Sequence, residues 1–322
     1  MTRPSSYPWH ISGVGAIGSL WASSFAQHGV PVSLLLKDEQ QLDQYQAADG
    51  IHLLDSEQTW VANPQAFTPS QPPKTIHHLL VCCKAYTTLA AVLPWRNQLA
   101  DNAIIVLLQN GMGSAHELQM TLPKANIYCA TSTDGAWRQG PFDVVRAGVG
   151  QTLIGSFSDH LNNAEIPPAI HGLLDHLEQP PSLKLAWHTD IRVPLWHKLA
   201  INSVINALTA IYQCSNGALI DHPTAWPRLQ QLCAETQDVM AREGVVPMGQ
   251  GLLNSSRRVL QQTAHNKSSM LQDCLAGRTT EIDAINGYII QQGALYRLPC
   301  AGHKQVCEDL RRLNYCIPKL PH

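Results

Sequence analysis

The sequence predicts an α/β domain, with a doubly wound, mostly parallel sheet, followed by an all-α domain. Three observations carry this. Over the first half, short apolar runs alternate with helical patterns, the arrangement of a parallel sheet covered by helices on both faces. A glycine-rich turn joins the first run to the first helix. From Asp190 onward, long helical patterns dominate. The length of 322 residues also exceeds one ordinary hydrophobic core and suits two domains.

In chain order, Ile11–Val14 reads as the first strand, leading into the glycine turn and a helical stretch through Gln27. Val32–Leu36, Leu79–Cys83, Ala103–Leu108 and Ile127–Ala130 read as further strands. Residues 141–157, with Val144-Val145 and the run Gly148–Gly155, read as hairpin strands added to the sheet edge. Pro180-Pro181 and the strand-like Leu183–Trp187 close the first half, which gives domains of residues 1–188 and 189–322. Helical patterns follow over 191–212, 223–243, 249–264, 268–275 and 279–292, and the tail Pro318–His322 reads as loose.

Composition narrows the function. Lys+Arg is 22 against Asp+Glu 24, a net of −2, so no global basic field exists to hold a nucleic acid. Charged residues are 14%, below the roughly 25% of an average soluble protein. No apolar run approaches the ~18 residues of a membrane span, and the N-terminal stretch has no apolar signal core; the expected location is cytoplasmic. Nine cysteines, none spaced C-x-x-C, read as free thiols in a reducing compartment. The fifteen histidines show no ligand spacing, so no metal site is expected.

Gly13-Val14-Gly15-Ala16-Ile17-Gly18 matches G-x-G-x-x-G between an apolar run and a helical one, the context a dinucleotide site requires. The first glycine permits the tight turn. The second lets a pyrophosphate approach the backbone, and the third allows close helix–strand packing. The helix N-terminus then offers N–H groups and a positive dipole end. About twenty residues on, the second strand ends at Lys37. A cation there suits the 2′-phosphate of NADP, whereas an acidic residue suits the ribose of NAD; Asp38 is adjacent, and a one-residue shift exchanges the two readings. Lys84, after the third strand, and Asn110, in Gln109-Asn110-Gly111-Met112-Gly113 after the fourth, lie at carboxyl ends of strands, where open α/β sheets bind ligands. A surface charge and a plain Asn-Gly turn are the alternatives.

In the helical half, Lys198, Asn202 and Asn206 fall at i, i+4 and i+8 on LWHKLAINSVINALTAIY and form one polar stripe. A solvated face is one reading. A ligand-holding stripe is the other, since solvated faces usually carry Glu, Lys and Arg rather than paired asparagines. Asn216-Gly217 follows closely. In Asn266–Ile289, Ser268 or Ser269 can start a helix that Gly277 breaks, and Thr280-x-x-Asp283 resembles a capping box that would put Glu281 in the first turn of the next helix.

The pieces GVGAIGSLW, CCKAY, LLQNGMGS, LWHKLAINSVINALTAIYQCSNGAL and SSMLQD…RTTEIDAINGYI together resemble the ketopantoate reductase (2-dehydropantoate 2-reductase) family. They span residues 13 to 290. The resemblance implies a Rossmann domain followed by an all-helical domain, with the active site in the cleft between them. It implies NADPH-dependent reduction of the 2-keto group of ketopantoate to (R)-pantoate, a step toward pantothenate and coenzyme A. The small-molecule 2-oxo acid is then the only partner expected, in a monomer or homodimer. Residue by residue, it puts the phosphate loop on Gly13, Val14, Gly15, Ala16, Ile17 and Gly18, and further cofactor contacts on Lys37, Lys84, Asn110, Ala136 and Glu281. Lys198 becomes the proton donor, with Glu281 beside it. Asn110, Lys198, Asn202, Asn206, Asn216, Asn266, Ser268 and Ser269 become substrate contacts. The chain departs from the family at the weak first strand, in the last 30 residues and at Lys37, where arginine is common. A reductase of another branched 2-oxo acid would share the stripe. A non-catalytic NADP(H)-binding sensor would need neither Lys198 nor Glu281.

Overall fold

The computed structural model describes residues 7–157, 165–177 and 183–316; Pro180-Pro181 and the Pro318–His322 tail lie outside them. The chain divides into two compact units, residues 1–109 with 114–191, and residues 110–113 with 192–322. The division follows Ile191 rather than residue 188, and the segment 110–113 is counted with the second unit although residues of the first flank it on both sides in the chain.

In the first unit, the main sheet is built from β1 (Trp9–Ser12), β2 (Val32–Leu35), β5 (Gln65–Phe67), β6 (Ile76–Val81), β7 (Leu99–Leu107), β8 (Asn126–Ser132), β11 (Thr152–Ser156) and β12 (Leu185–Trp187). Its order is β12-β11-β8-β7-β6-β1-β2-β5, parallel throughout except where β11 meets β8. The strand order reverses at β1, which lies between β2 and β6, so the end of β1 is the switch point where such sheets bind ligands. The first strand sits two residues earlier than its apolar run suggested, because Gly13 turns away at φ +87°. His10 and Ser12, both buried in this central strand, are what made it weak to read.

A second sheet, β4-β3-β10-β9, was not anticipated. It comprises β3 (Ile51–Asp55), β4 (Gln58–Ala62), β9 (Gly135–Gly140) and β10 (Asp143–Gly148). Helix α1 (Ala16–Gln27) packs against strands of both sheets. That explains a sequence, AIGSLWASSFAQ, with no charged residue: a helix covered on all sides has no face for solvent. Ser19, Leu20, Trp21, Ser23, Ser24 and Phe25 are fully buried in it. Helices α2 (Glu39–Ala47), α3 (Thr88–Val92), α4 (Ser114–Thr121) and α5 (Pro168–His176) complete the unit.

The expected hairpin over 141–157 is corrected. Only β11 joins the main sheet; β10 pairs with β9 and, in parallel, with β3. A buried charge cluster holds the chain at this crossing. Arg146 donates to Asp55 (3.1 Å) and Asp134 (2.8 Å), with side-chain exposures of 2% for Arg146 and 0% for Asp134. Asp134 also accepts the backbone N–H of Gly150 at 3.0 Å.

The second unit is helical: α6 (Arg192–Tyr212), α7 (Ala225–Arg242), α8 (Leu252–Gln262), α9 (Ser269–Leu275), α10 (Tyr288–Leu295) and α11 (Ala301–Cys316). Helix α6 is central and packs on α7, α8, α9 and α11. Eight of the cysteines, Cys82, Cys83, Cys129, Cys214, Cys233, Cys274, Cys300 and Cys307, are free thiols. No described helix is long and apolar enough to cross a membrane.

Removing one member of a buried charge cluster strands its partners, at a cost of about 3–5 kcal/mol. Arg146→Ala is therefore expected to lose stability of that order in urea unfolding. A loss below about 1 kcal/mol, the scale of an exposed pair, would contradict the reading.

Candidate active site

The glycine loop divides its work. A Cβ on Gly13 would lie 2.3 Å from the backbone nitrogen of Cys83, and one on Gly18 would lie 2.3 Å from the carbonyl of Gly13. Both glycines are required by packing alone. A Cβ on Gly15 would meet nothing within 4 Å, so the ground in front of the helix is open. Gly15 is the N-cap of α1, no side chain caps it, and its first turn holds no acidic residue. An uncapped helix start facing open space fits a phosphate. Val14, Ala16 and Ile17 complete the loop, with Val14 and the start of α1 against the core.

At the end of β2, the ambiguity between Lys37 and Asp38 has a local resolution. Asp38 is the N-cap of α2: its carboxylate accepts the N–H of Gln41 at 2.8 Å. Lys37 is exposed, with Nζ 3.3 Å from the other carboxylate oxygen of Asp38. Lys84 is half-buried at the start of a short 3₁₀ turn, and Ala136 lies half-buried on β9 against the core.

In the second unit the predicted residues gather around α6. Lys198 and Asn202 are half-buried and Asn206 is buried, so the stripe is not a solvated face. The side-chain amides of Asn202 and Asn206 make no hydrogen bond to any described residue. Burial lowers the Lys198 pKa to about 8, and the negative charge of Glu281 opposes that fall. Asn110 Nδ2 donates to Glu281 Oε2 at 3.4 Å. The turn carrying Asn110 is fastened where the N–H of Met112 meets the carbonyl of Ala284, at 2.9 Å. Gly111 has φ +84°, and a Cβ there would lie 2.5 Å from that carbonyl, so only glycine fits.

Glu281 is not in the first turn of a regular helix, and the capping box is corrected. Thr280 caps nothing by its side chain, and the Asp283 carboxylate instead accepts from Arg311 at 2.6 Å. The helix opens with a π turn, Asp283–Gly287, before α10. Within it Asn286 is buried, its amide donating to the Ser203 carbonyl (2.8 Å) and to His303 Nδ1 (3.1 Å). His303 Nε2–H then faces Thr236 Oγ1 at 2.9 Å, and burial lowers the imidazole pKa to about 4. This apolar-walled network ties the π turn to α6. Sequence reading missed it because its members lie on four elements; the Asn286-Gly287 pair inside a helical pattern was the available signal.

The remaining positions lie beyond the stripe. Asn216 Nδ2 donates to Thr263 Oγ1 at 2.9 Å, while its Oδ1 is buried without a described partner. The Asn216 N–H also donates to the carbonyl of Asn266. Ser268 is the N-cap of α9, accepting from Leu271 N–H at 3.1 Å and lying 2.7 Å from Thr209 Oγ1. That hydroxyl is occupied by structure, whereas Asn266 and Ser269 are exposed.

The family model described as ketopantoate reductase PanE/ApbA matches residues 9–159, and that of its C-terminal region matches 190–314. The chain belongs to the ketopantoate reductase family. A 2-dehydropantoate 2-reductase of Vibrio cholerae is 32% identical over 94% of this chain and 97% of its own. A PanE/ApbA family ketopantoate reductase from Ralstonia eutropha superposes with TM-score 0.81 at 25% identity, covering 96% of this chain and 99% of its own. D-mandelate dehydrogenase, solved with NADH and anilino(oxo)acetate, shares the fold at TM-score 0.86 and 21% identity, over 96% and 99% of the two chains.

The Lys198 amine is expected to titrate near 8 rather than at the ~10.4 of a free lysine, as followed by NMR of labelled lysine ε-carbons. Glu281→Gln removes the charge that raises this pKa, so the midpoint should move lower still. An unchanged or higher midpoint in Glu281→Gln would show that the two groups do not interact.

Proposed function

We propose that this chain reduces the 2-keto group of 2-dehydropantoate to (R)-pantoate with NADPH. The observation that carries the reading is Lys198, a cation with a lowered pKa beside Glu281, at the head of two asparagine amides that have no described protein partner. An oxidoreductase that makes an alcohol from a ketone needs a cation at the carbonyl oxygen and neutral donors around the rest of the acid.

Bound at the glycine loop, a reduced nicotinamide dinucleotide supplies the hydride. Gly13–Gly18 and the uncapped start of α1 hold its phosphates, and Lys37 takes the 2′-phosphate, Asp38 being committed to α2. Lys84 and Ala136 support the dinucleotide further along. The chain's own chemistry centres on Lys198. Its ammonium donates a hydrogen bond to the ketone oxygen, stabilises the negative charge that develops there, and hands over its proton. A pKa of about 8 leaves the group mostly protonated at neutral pH while making the proton easier to give than that of a free lysine. Glu281 keeps the ammonium charged, and Asn110 orients Glu281. Asn202, Asn206 and Asn216 bind the substrate's hydroxyl and carboxylate, with Asn266 and Ser269 at the rim and Ser268 holding the end of α9.

Oxidation of NADPH with a panel of branched 2-oxo acids, read by absorbance, tests the reading. Ketopantoate should turn over fastest, and pure folded protein giving no decay with it would refute the assignment. Lys198→Ala should lower kcat by about 10²–10⁴-fold with NADPH binding retained. In the unaltered enzyme, kcat should fall as pH rises through about 8, because the deprotonated amine has no proton to give.

Lys37→Ala should weaken NADPH binding about tenfold through loss of a charge-assisted hydrogen bond, while NADH binding barely changes. Equal losses for both cofactors would remove Lys37 from the 2′-phosphate.

A further inference from the structure

The first unit holds two arginines on one face of the β9–β10 pair: Arg146 is buried and neutralised, and Arg138, nearer the end of β9, is exposed. Ala136 pairs with Arg146, and Arg138 pairs with Val144. Cross-strand partners share a face, and residues two apart on a strand do as well. Ala136 packs against the core and Val144 is fully buried there, whereas Trp137, on the opposite face, is 47% exposed. Arg146 is held by Asp55 and Asp134. Arg138 has no carboxylate or hydrogen-bond partner among the described residues.

Arg138 stands at a cavity of 280 Å³ lined also by Val14, Gln41, Gln44 and Phe142. Whole ligand pockets run roughly 300–1,000 Å³, so this volume suits one portion of a larger ligand. One wall, Val14, is the glycine loop itself. The other is the first turns of α2, where Gln41 accepts the backbone N–H of Lys37 at 2.9 Å and donates its own N–H to Asp38. The cavity thus runs from the phosphate loop to the first turns of α2, whose Gln41 is bonded to Lys37 and Asp38.

The charge balance at that end calls for another cation. Lys37 stands beside Asp38 and Glu39, one positive charge against two negative. The start of α2 is already capped by Asp38, so its N–H groups do not make an anion site. A phosphomonoester carries about −1.5 to −2 at neutral pH, and Lys37 alone cannot offset it together with its own neighbours. A guanidinium aimed from the facing strand supplies both the missing charge and a planar fork for two phosphate oxygens.

We propose that Arg138 is a second reader of the adenosine 2′-phosphate, clamping it against Lys37 from the β9 side of the cavity and setting the preference for NADPH over NADH. The proposal rests on the NADPH reading above. NADPH, NADH and adenosine 2′,5′-bisphosphate are titrated calorimetrically into the intact wild-type chain, Lys37→Ala, Arg138→Ala and Arg138→Lys, with thermal unfolding as the check on folding. Arg138→Ala should weaken NADPH and the bisphosphate about tenfold and NADH barely, with partial recovery in Arg138→Lys. NADPH affinity unchanged in Arg138→Ala, or NADH weakened equally, overturns the proposal. A wild type that prefers NADPH, with the preference lost in Lys37→Ala and kept in Arg138→Ala, overturns it while leaving the cofactor reading intact. A wild type that binds NADH as tightly as NADPH overturns both.

Discussion

An ammonium removed from water must be kept charged by something, and in the second unit that is Glu281 acting on Lys198. Burial lowers the lysine pKa to about 8 and the carboxylate opposes it. Much of the local structure serves this pair. Asn110 touches Glu281, and Gly111 lets the Asn110 turn dock on the carbonyl of Ala284 without a Cβ in the way. The π turn re-aims the chain just after Glu281, as single π turns at functional sites commonly do. The buried Ser203–Thr236–His303–Asn286 network fixes that turn to the helix bearing Lys198. Such a network is costly unless its members are paired; one tautomer of a neutral His303 accepts from Asn286 and donates to Thr236, while Asn286 Oδ1 is buried without a described partner.

The first unit answers a different constraint. Its phosphate loop needs a helix that starts in open space yet is immovable. Helix α1 meets both needs by being enclosed by two sheets along its length while its N-terminus is left uncapped. The second sheet is what encloses it. That sheet depends in turn on the Arg146 cluster, where the chain passes from β9 and β10 back to the main sheet at β11. A buried charge cluster adds little net stability; this one joins Asp55 of β3, Asp134 before β9 and Arg146 of β10 at the crossing.

The candidate site was legible to the extent that its chemistry is local. The glycine loop, Lys37, and the Lys198–Asn202–Asn206 stripe each lie within one stretch of chain with a recognisable period. Elements made by unusual backbone were not legible. The turn between β3 and β4 has Ser56 and Glu57 at positive φ, without the Asn-Gly or Gly-Gly that announces a hairpin. The π turn was read as ordinary helix because its side chains keep a helical pattern. Ser268 was readable as a cap, and the contact with Thr209 that buries it was not.

By itself, then, the sequence determined the succession of an α/β half and a helical half, the phosphate loop, and which side chains share the α6 stripe, because periodicity and glycine placement act over a few residues. Structure decided that the stripe is half-buried to buried rather than solvated, that Asp38 is spent on a helix cap, that β10 leaves the main sheet, and that Arg138 has no carboxylate partner among the described residues while Arg146 has two. The Asp38 cap is a contact three residues long that the sequence left open; the others turn on residues distant in the chain, and burial and electrostatics depend on what surrounds a group in space, which no local pattern records.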